Sequence, residues 1–142
     1  MDKGSAVLHN GIPLVVYAIY SIFQYMNIDP DQVFPALANT TRLRCLYLVA
    51  SNDDVCVCEV VEALGITQPR ASKALNALKG VGLLSVHRDA NWNYFSLDNA
   101  MPEWTAALIA ATVNGLGSSR THVTDQKRFK RLNLRGTGAT CS

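Results

Sequence analysis

From Asp29 onward the apolar positions recur with a helical period, and capping residues and glycines break the pattern into short units. "DPDQVFPALA", Asp29 to Ala38, predicts a short helix with Asp29 as N-cap and Pro30 in its first turn. Pro35 is expected to kink it or end it early. Asn39, Thr40 or Thr41 can cap the next helix, "RLRCLYLVA", where Leu43, Leu46 and Tyr47 share a face. Cys45 lies among those apolar neighbours, so core packing is its expected role. Asn52, Asp53 and Asp54 form a turn and cap before a helix over Val55 to Leu64, which Gly65 stops. Thr67 caps the helix after it. There Ala71, Ala74, Leu75 and Leu78 fall on one side, and Ser72, Lys73, Asn76 and Lys79 on the other.

Two helices joined by a tight glycine-containing turn, the second with a polar and basic outer face, make a helix-turn-helix. "LLSVHRDANWNYFSL", Leu83 to Leu97, reads as two strands around Asp89-Ala90-Asn91, with Asn91 suited to a left-handed turn position. A hairpin directly after the second helix is a wing. "PEWTAALIAATVNG", Pro102 to Gly115, is a helix opened by proline and closed by glycine. Its apolar surface runs almost all the way round, which predicts a subunit interface. The expected fold is therefore mostly α with a small β-hairpin wing: a winged helix-turn-helix acting as a homodimer. Three segments follow: residues 1–25 as an apolar N-terminal extension, 26–116 as the DNA-binding and dimerisation domain, and 117–142 as a basic, disordered tail.

Composition sharpens this picture in three places. The 142-residue chain is 49% hydrophobic and 17% charged, enough apolar material for one domain with a sizeable core. Its net charge of +2 is unevenly spread: the segment from Leu116 carries about +5 and the remainder about −3, which suits either a polyanionic partner such as nucleic acid or simply a solvated terminus. The run "GIPLVVYAIYSIF", Gly11 to Phe23, is too short to cross a bilayer, which takes roughly 20 apolar residues. It lacks the basic cluster and cleavage site of a signal peptide. It is expected to pack on the body or on a second subunit, unless translation starts at Met26. Four cysteines (Cys45, Cys56, Cys58 and Cys141) without a secretory signal point to free thiols in a cytoplasmic protein rather than a disulfide framework.

The order of elements from about Met26 to Gly115 resembles the ArsR/SmtB family of small dimeric bacterial repressors. The resemblance rests on "ALANTTRLRCLYLV", on "VCVCEVVEALGITQPRASKALNALKGVGLL" across the reading head, and on "WNYFSL" in the wing. Within the family, "VCVCE" resembles the arsenic-responsive members, whose helix before the recognition helix carries a Cys-x-Cys. The first 25 residues and the tail have no counterpart in the resemblance. It implies a repressor that binds double-stranded operator DNA as a dimer through its N-terminal and C-terminal helices and needs no obligatory cofactor. The inducer it implies is trivalent arsenic or antimony.

Reading DNA requires side chains that reach base edges, ringed by cations and donors for phosphate. Gln68, Ser72, Lys73 and Asn76 are the candidates for bases. Arg70 and Lys79 are candidates for phosphate, as are Arg88, Asn91 and Asn93 on the wing. The resemblance places Gln68, Arg70, Ser72 and Lys73 at the family's DNA-facing positions. Ala74 departs from it, since a histidine often follows there.

For the inducer, the helix Pro102–Asn114 has no histidine and one acid, Glu103, so the zinc or nickel site that family members build there is missing. No cysteine precedes Cys45, which removes the N-terminal ligands of cadmium and lead sensors. A sulfur-only site remains. Trivalent arsenic favours three thiolates, of which Cys56 and Cys58 supply two, and a helix N-terminus favours the thiolate form. On a regular helix residues i and i+2 point roughly 200° apart, so sharing one ion is expected to unwind the first turn and shift the recognition helices. Arsenic-responsive relatives commonly carry a third cysteine where this chain has Val61. Here Cys141, Cys45 or an exogenous ligand must complete the set. Two other readings use the same residues: a repressor responding to thiol oxidation, and a thiol protein that sequesters metal without binding an operator. No nucleophile with an adjacent base is present in any arrangement that suggests an enzyme.

Overall fold

The computed structural model describes residues 8–9, 11–16, 18–19 and 28–132. Met26 and Cys141 lie outside the described residues, as do the rest of the extension and residues 133–142. At the N-terminus, β1 (Leu8–His9) pairs antiparallel with β2 (Ile12–Pro13). The body then runs α1 (Pro30–Leu37), α2 (Thr40–Asn52), β3 (Val55–Cys56), α3 (Val57–Leu64), α4 (Gln68–Gly80), β4 (Leu84–Asp89), β5 (Trp92–Leu97), α5 (Glu103–Leu116) and α6 (Arg120–Arg131).

Local chemistry sets most of these boundaries. The Asp29 carboxylate accepts from Asp31 N at 2.9 Å to open α1, and the Asn39 side chain accepts from Arg42 N at 2.9 Å to open α2. Pro35 does not break α1, which continues through it to Leu37. The Arg42 side chain donates to the carbonyls of Ala36 (2.6 Å) and Pro35 (3.1 Å), satisfying the helix end that the proline disturbs. Gly65 closes α3 in the left-handed conformation (φ 66°). Gly82, between α4 and the wing, has φ 91°, and a Cβ there would lie 2.8 Å from Ile28 Cγ1. In the wing turn the left-handed residue is Ala90 (φ 55°), not Asn91 as expected.

The core is a single apolar cluster in which Leu46, Leu48, Val60, Leu75, Leu78 and Leu83 are fully enclosed. Each such side chain contributes about 1.5–3 kcal/mol on leaving water. α2 runs through the middle, packing on α1, α4, α5, α6 and β5. Cys45 sits in this core, completely buried.

Two further expectations fail here. The helix read from Val55 begins instead at Val57, because Val55 and Cys56 are extended and pair with Phe95 and Tyr94 of β5. The hairpin is thereby widened into a three-stranded antiparallel sheet of order β3-β5-β4. The second failure is the tail. Arg120–Arg131 is a helix packed on α2 and α3, so disorder does not hold over that stretch. Its composition is that of a solvated segment, but His122, Asp125, Gln126 and Phe129 recur at helical spacing and face the body. Asp125 forms a bidentate pair with Arg44 (2.8 Å to each oxygen), and Arg44 also donates to Leu64 O at 2.9 Å. Gln126 and Asn52 exchange side-chain hydrogen bonds, and Tyr47 meets the His122 ring edge-on at 5.4 Å. These anchors are polar, which is why an apolar period did not reveal them.

Candidate nucleic-acid interface and thiol site

The helix-turn-helix is α3, the turn at Gly65–Thr67, and α4, with the Thr67 hydroxyl capping α4 through Arg70 N at 3.4 Å. Its apolar side (Ala71, Ala74, Leu75 and Leu78) is buried, which turns the other side outward as the spacing required. Gln68, Arg70, Lys73, Asn76 and Lys79 are exposed and Ser72 is half-buried. Asn76 folds back on Ser72, donating to its carbonyl (2.9 Å) and hydroxyl (3.3 Å), so the two act as one polar unit one turn apart. On the wing Arg88, Asn91 and Asn93 are exposed, and Arg88 Nε donates to Ala90 O at 3.2 Å across the turn.

Between α2 and α4 lies a groove lined by Asn39, Thr41, Arg42, Arg70, Lys73, Ala74 and Ala77. Arg70 donates to the Thr41 hydroxyl at 2.9 Å, which fixes that guanidinium at the rim. Ala74, where the family often has histidine, is buried at the groove floor. Thr41 and Arg42 were not among the sequence candidates; their signal was present in the α2 cap, but only the crossing of α2 over α4 brings them to this surface.

Of the cysteines, Cys56 is the N-cap of α3, extended (φ −97°, ψ 163°) and fully buried, while Cys58 is the second helical residue and half-buried. Cys56 and Glu59 form a reciprocal capping box in which Cys56 N donates to Glu59 Oε1 at 3.0 Å. The two thiols therefore straddle a strand-to-helix junction rather than lying on one regular helix. The 200° separation expected of a continuous helix does not apply, and bringing the sulfurs together does not require a helical turn to unwind.

Cys45 does not join them. Among the described residues no three histidine, cysteine or acidic side chains are grouped so that they could hold a metal ion. Burial also pushes the Cys45 thiol up to about 12, so it stays protonated at neutral pH. Across the sheet, Cys56 pairs with Tyr94 and Tyr94 pairs with His87. The His87 and Tyr94 rings stack at 5.6 Å, and His87 Nε2 lies 3.7 Å from the Asp54 carboxylate. The thiol junction is thus continuous with the wing.

The large exposed apolar side chains concentrate at the N-terminus (Leu14, Val15, Val16, Ile19), on α1 (Phe34) and on α5 (Trp104). An apolar groove beside α5 is lined by Leu97, Met101, Ala106, Ile109, Ala110 and Val113. No helix among the described residues is long and apolar enough to cross a membrane.

Comparison with known proteins agrees with this geometry. The family model for bacterial regulatory proteins of the arsR family matches residues 39–86, from the cap of α2 into the wing. An arsenic resistance transcriptional regulator of Pseudomonas putida is 36% identical over 87 residues, 61% of this chain and 68% of the relative. The arsenical resistance operon repressor of Escherichia coli is 35% identical over 80 residues, 56% of this chain and 68% of the relative. Among solved structures, a homodimeric winged helix-turn-helix DNA-binding domain from Mycobacterium bovis superposes with a TM-score of 0.51 at 31% identity, covering 63% of this chain and 81% of that one. By fold, reading head and sequence, the chain belongs to the ArsR family of winged helix-turn-helix transcriptional repressors.

Proposed function

We propose that this protein is a cytoplasmic, homodimeric repressor that leaves its operator when trivalent arsenic or antimony binds Cys56 and Cys58. The observation that carries the reading is the position of the thiol pair. It spans the junction between the strand that continues into the wing and the helix that supports α4. Relatives named for arsenic and arsenical resistance support the choice of inducer.

The residues fit a soft trivalent ion in part: two thiols one residue apart offer two of the three sulfurs it favours. Cys141 is the proposed third. It lies nine positions after Leu132, which packs against the core, and nine extended residue steps reach about 30 Å. The ion supplies thiophilic Lewis acidity that holds the sulfurs to one centre. On ligation the Cys56 thiol would give up its acceptor role in the capping box with Glu59, and any shift of Cys56 would load its pairing with Tyr94. Both changes act on elements that aim DNA-reading groups, α3 behind α4 and β5 within the wing. A dimer reads two half-sites at fixed spacing, so a small reorientation in each protomer lowers affinity.

For DNA, Gln68, Ser72, Lys73 and Asn76 are proposed to meet base edges, and Arg70, Lys79, Arg88, Asn91 and Asn93 to meet phosphate or sugar. The second copy is proposed to cover the exposed apolar residues of the N-terminal segment and α5. The deciding experiment titrates arsenite into the protein–operator complex and repeats it with Cys56→Ser and Cys58→Ser. Release of the wild type alone supports the assignment, and release of the variants at the wild-type dose sinks it. Release by peroxide but not arsenite would identify a thiol-redox sensor instead. Failure of the wild type to prefer its operator over a scrambled duplex would leave only a thiol protein that sequesters metal.

A further inference from the structure

We infer that α6 is a second DNA-contacting element, a docked cationic helix that lies along the operator backbone beside the helix-turn-helix. This rests on the operator reading above and extends it to a part of the chain outside the span that matches the family, residues 39–86. Arg120, Lys127, Arg128, Lys130 and Arg131 are all exposed, and none forms an ion pair among the described residues. The one acid of the helix, Asp125, is 2% exposed and already committed to Arg44. Five cations with no ion-pair partner among the described residues are therefore displayed on one short helix. Like charges at this density repel, and they are held together only because the opposite face is anchored by Asp125, Gln126 and His122.

Position identifies the polyanion. α6 packs along α3, and the Arg128 guanidinium reaches the turn of the helix-turn-helix, 4.0 Å from where a Gly65 Cβ would stand. Gly65 lies three residues before Gln68, the first residue of the recognition helix. In helix-turn-helix docking the second helix enters the major groove with its N-terminal residues foremost, while the first helix crosses the phosphate backbone. A helix fastened to the first helix and to the turn is therefore set over the phosphates flanking the groove. The Arg44–Asp125 pair gives it a fixed place there, so its charges act as phosphate contacts of defined register rather than as a loose cloud. They add affinity and salt dependence without sequence choice.

The test is the salt dependence of binding by the full chain, read by fluorescence anisotropy on operator and on a scrambled duplex, with Lys127, Arg128, Lys130 and Arg131 all changed to glutamine. All four are exposed, so α6 is expected to stay docked, which amide exchange at Asp125 and Gln126 checks. Each lost phosphate contact lowers the slope of log K against log salt by about 0.9. The expected result is a fall of about 2–3 in that slope, with equal loss of affinity for both duplexes and an undiminished preference for operator. An unchanged slope overturns the inference while leaving the operator reading intact. A wild type without operator preference sinks that reading and this one with it. A variant that keeps the DNA slope but loses binding to phosphatidylglycerol vesicles would assign the cations to a membrane surface and equally overturn it.

Discussion

The two C-terminal helices, α5 and α6, reverse what their compositions suggest. α5 is apolar nearly all round, yet of its side chains only Thr105 and Ile109 are buried within the protomer, and Trp104 stands 40% exposed. α6 is rich in charge, yet it is bound to α2 and α3 through a buried ion pair, a reciprocal amide pair and an aromatic contact. Apolar content measures how much surface must be covered, not what covers it. α5 presents more such surface than the other described residues cover, which is the surface proposed above for a second copy. α6 needs little cover and is held by directional bonds. The lesson is that docking of a short polar helix depends on where its few anchors land.

The contrast breaks most severely at α5. Ala110→Glu puts a charge in the apolar groove and is expected to leave a folded monomer in sedimentation. Operator affinity should fall by roughly 100-fold or more as the two reading heads lose their linkage. At α6, Asp125→Ala leaves Arg44, 18% exposed, without its counter-charge. The loss should be about 3 kcal/mol, the lower end for a buried pair, because water still reaches the guanidinium. Denaturant midpoints read the cost, and amide exchange confined to α6 and the facing side of α2 locates it.

A finer test uses His122. Neither ring nitrogen has a hydrogen-bond partner among the described residues, and burial holds its pKa below the usual histidine value of 6.5. The unfolded chain therefore binds the proton more readily than the folded one, so this residue's contribution to stability is complete at higher pH. It is lost as pH falls from about 6.5 towards the depressed folded value. Protection of α6 amides should decline over that range while α4 amides hold, and His122→Phe should flatten the dependence. The smallest effect is expected at Cys45. Cys45→Ala should cost about 1 kcal/mol of packing and leave the arsenite dose for release unchanged. The native thiol should resist maleimide until the protein unfolds, since the thiolate is the reactive form.

Much of this molecule was legible in its residue order. The caps at Asp29, Asn39 and Thr67, the stop at Gly65 and the one-sided Ala71, Ala74, Leu75 and Leu78 are local features, each fixed by neighbours within a turn or two. They suffice for the helix-turn-helix, its outward polar face and the wing. Three other features depended on residues far apart in the chain. Cys56 is extended because β5 offers it a partner some forty residues later. Arg44 spends its side chain on an aspartate 81 positions away. Arg128 reaches the turn only because α6 folds back.

The sequence alone determined which side of α4 faces outward and that two thiols stand at the head of α3, since period and proximity are properties of the chain. The tertiary structure decided that those thiols straddle a strand and a helix, and that Arg120–Arg131 of the basic tail forms a helix packed beside the reading head. Both outcomes rest on hydrogen bonds and ion pairs whose partners no local pattern can name.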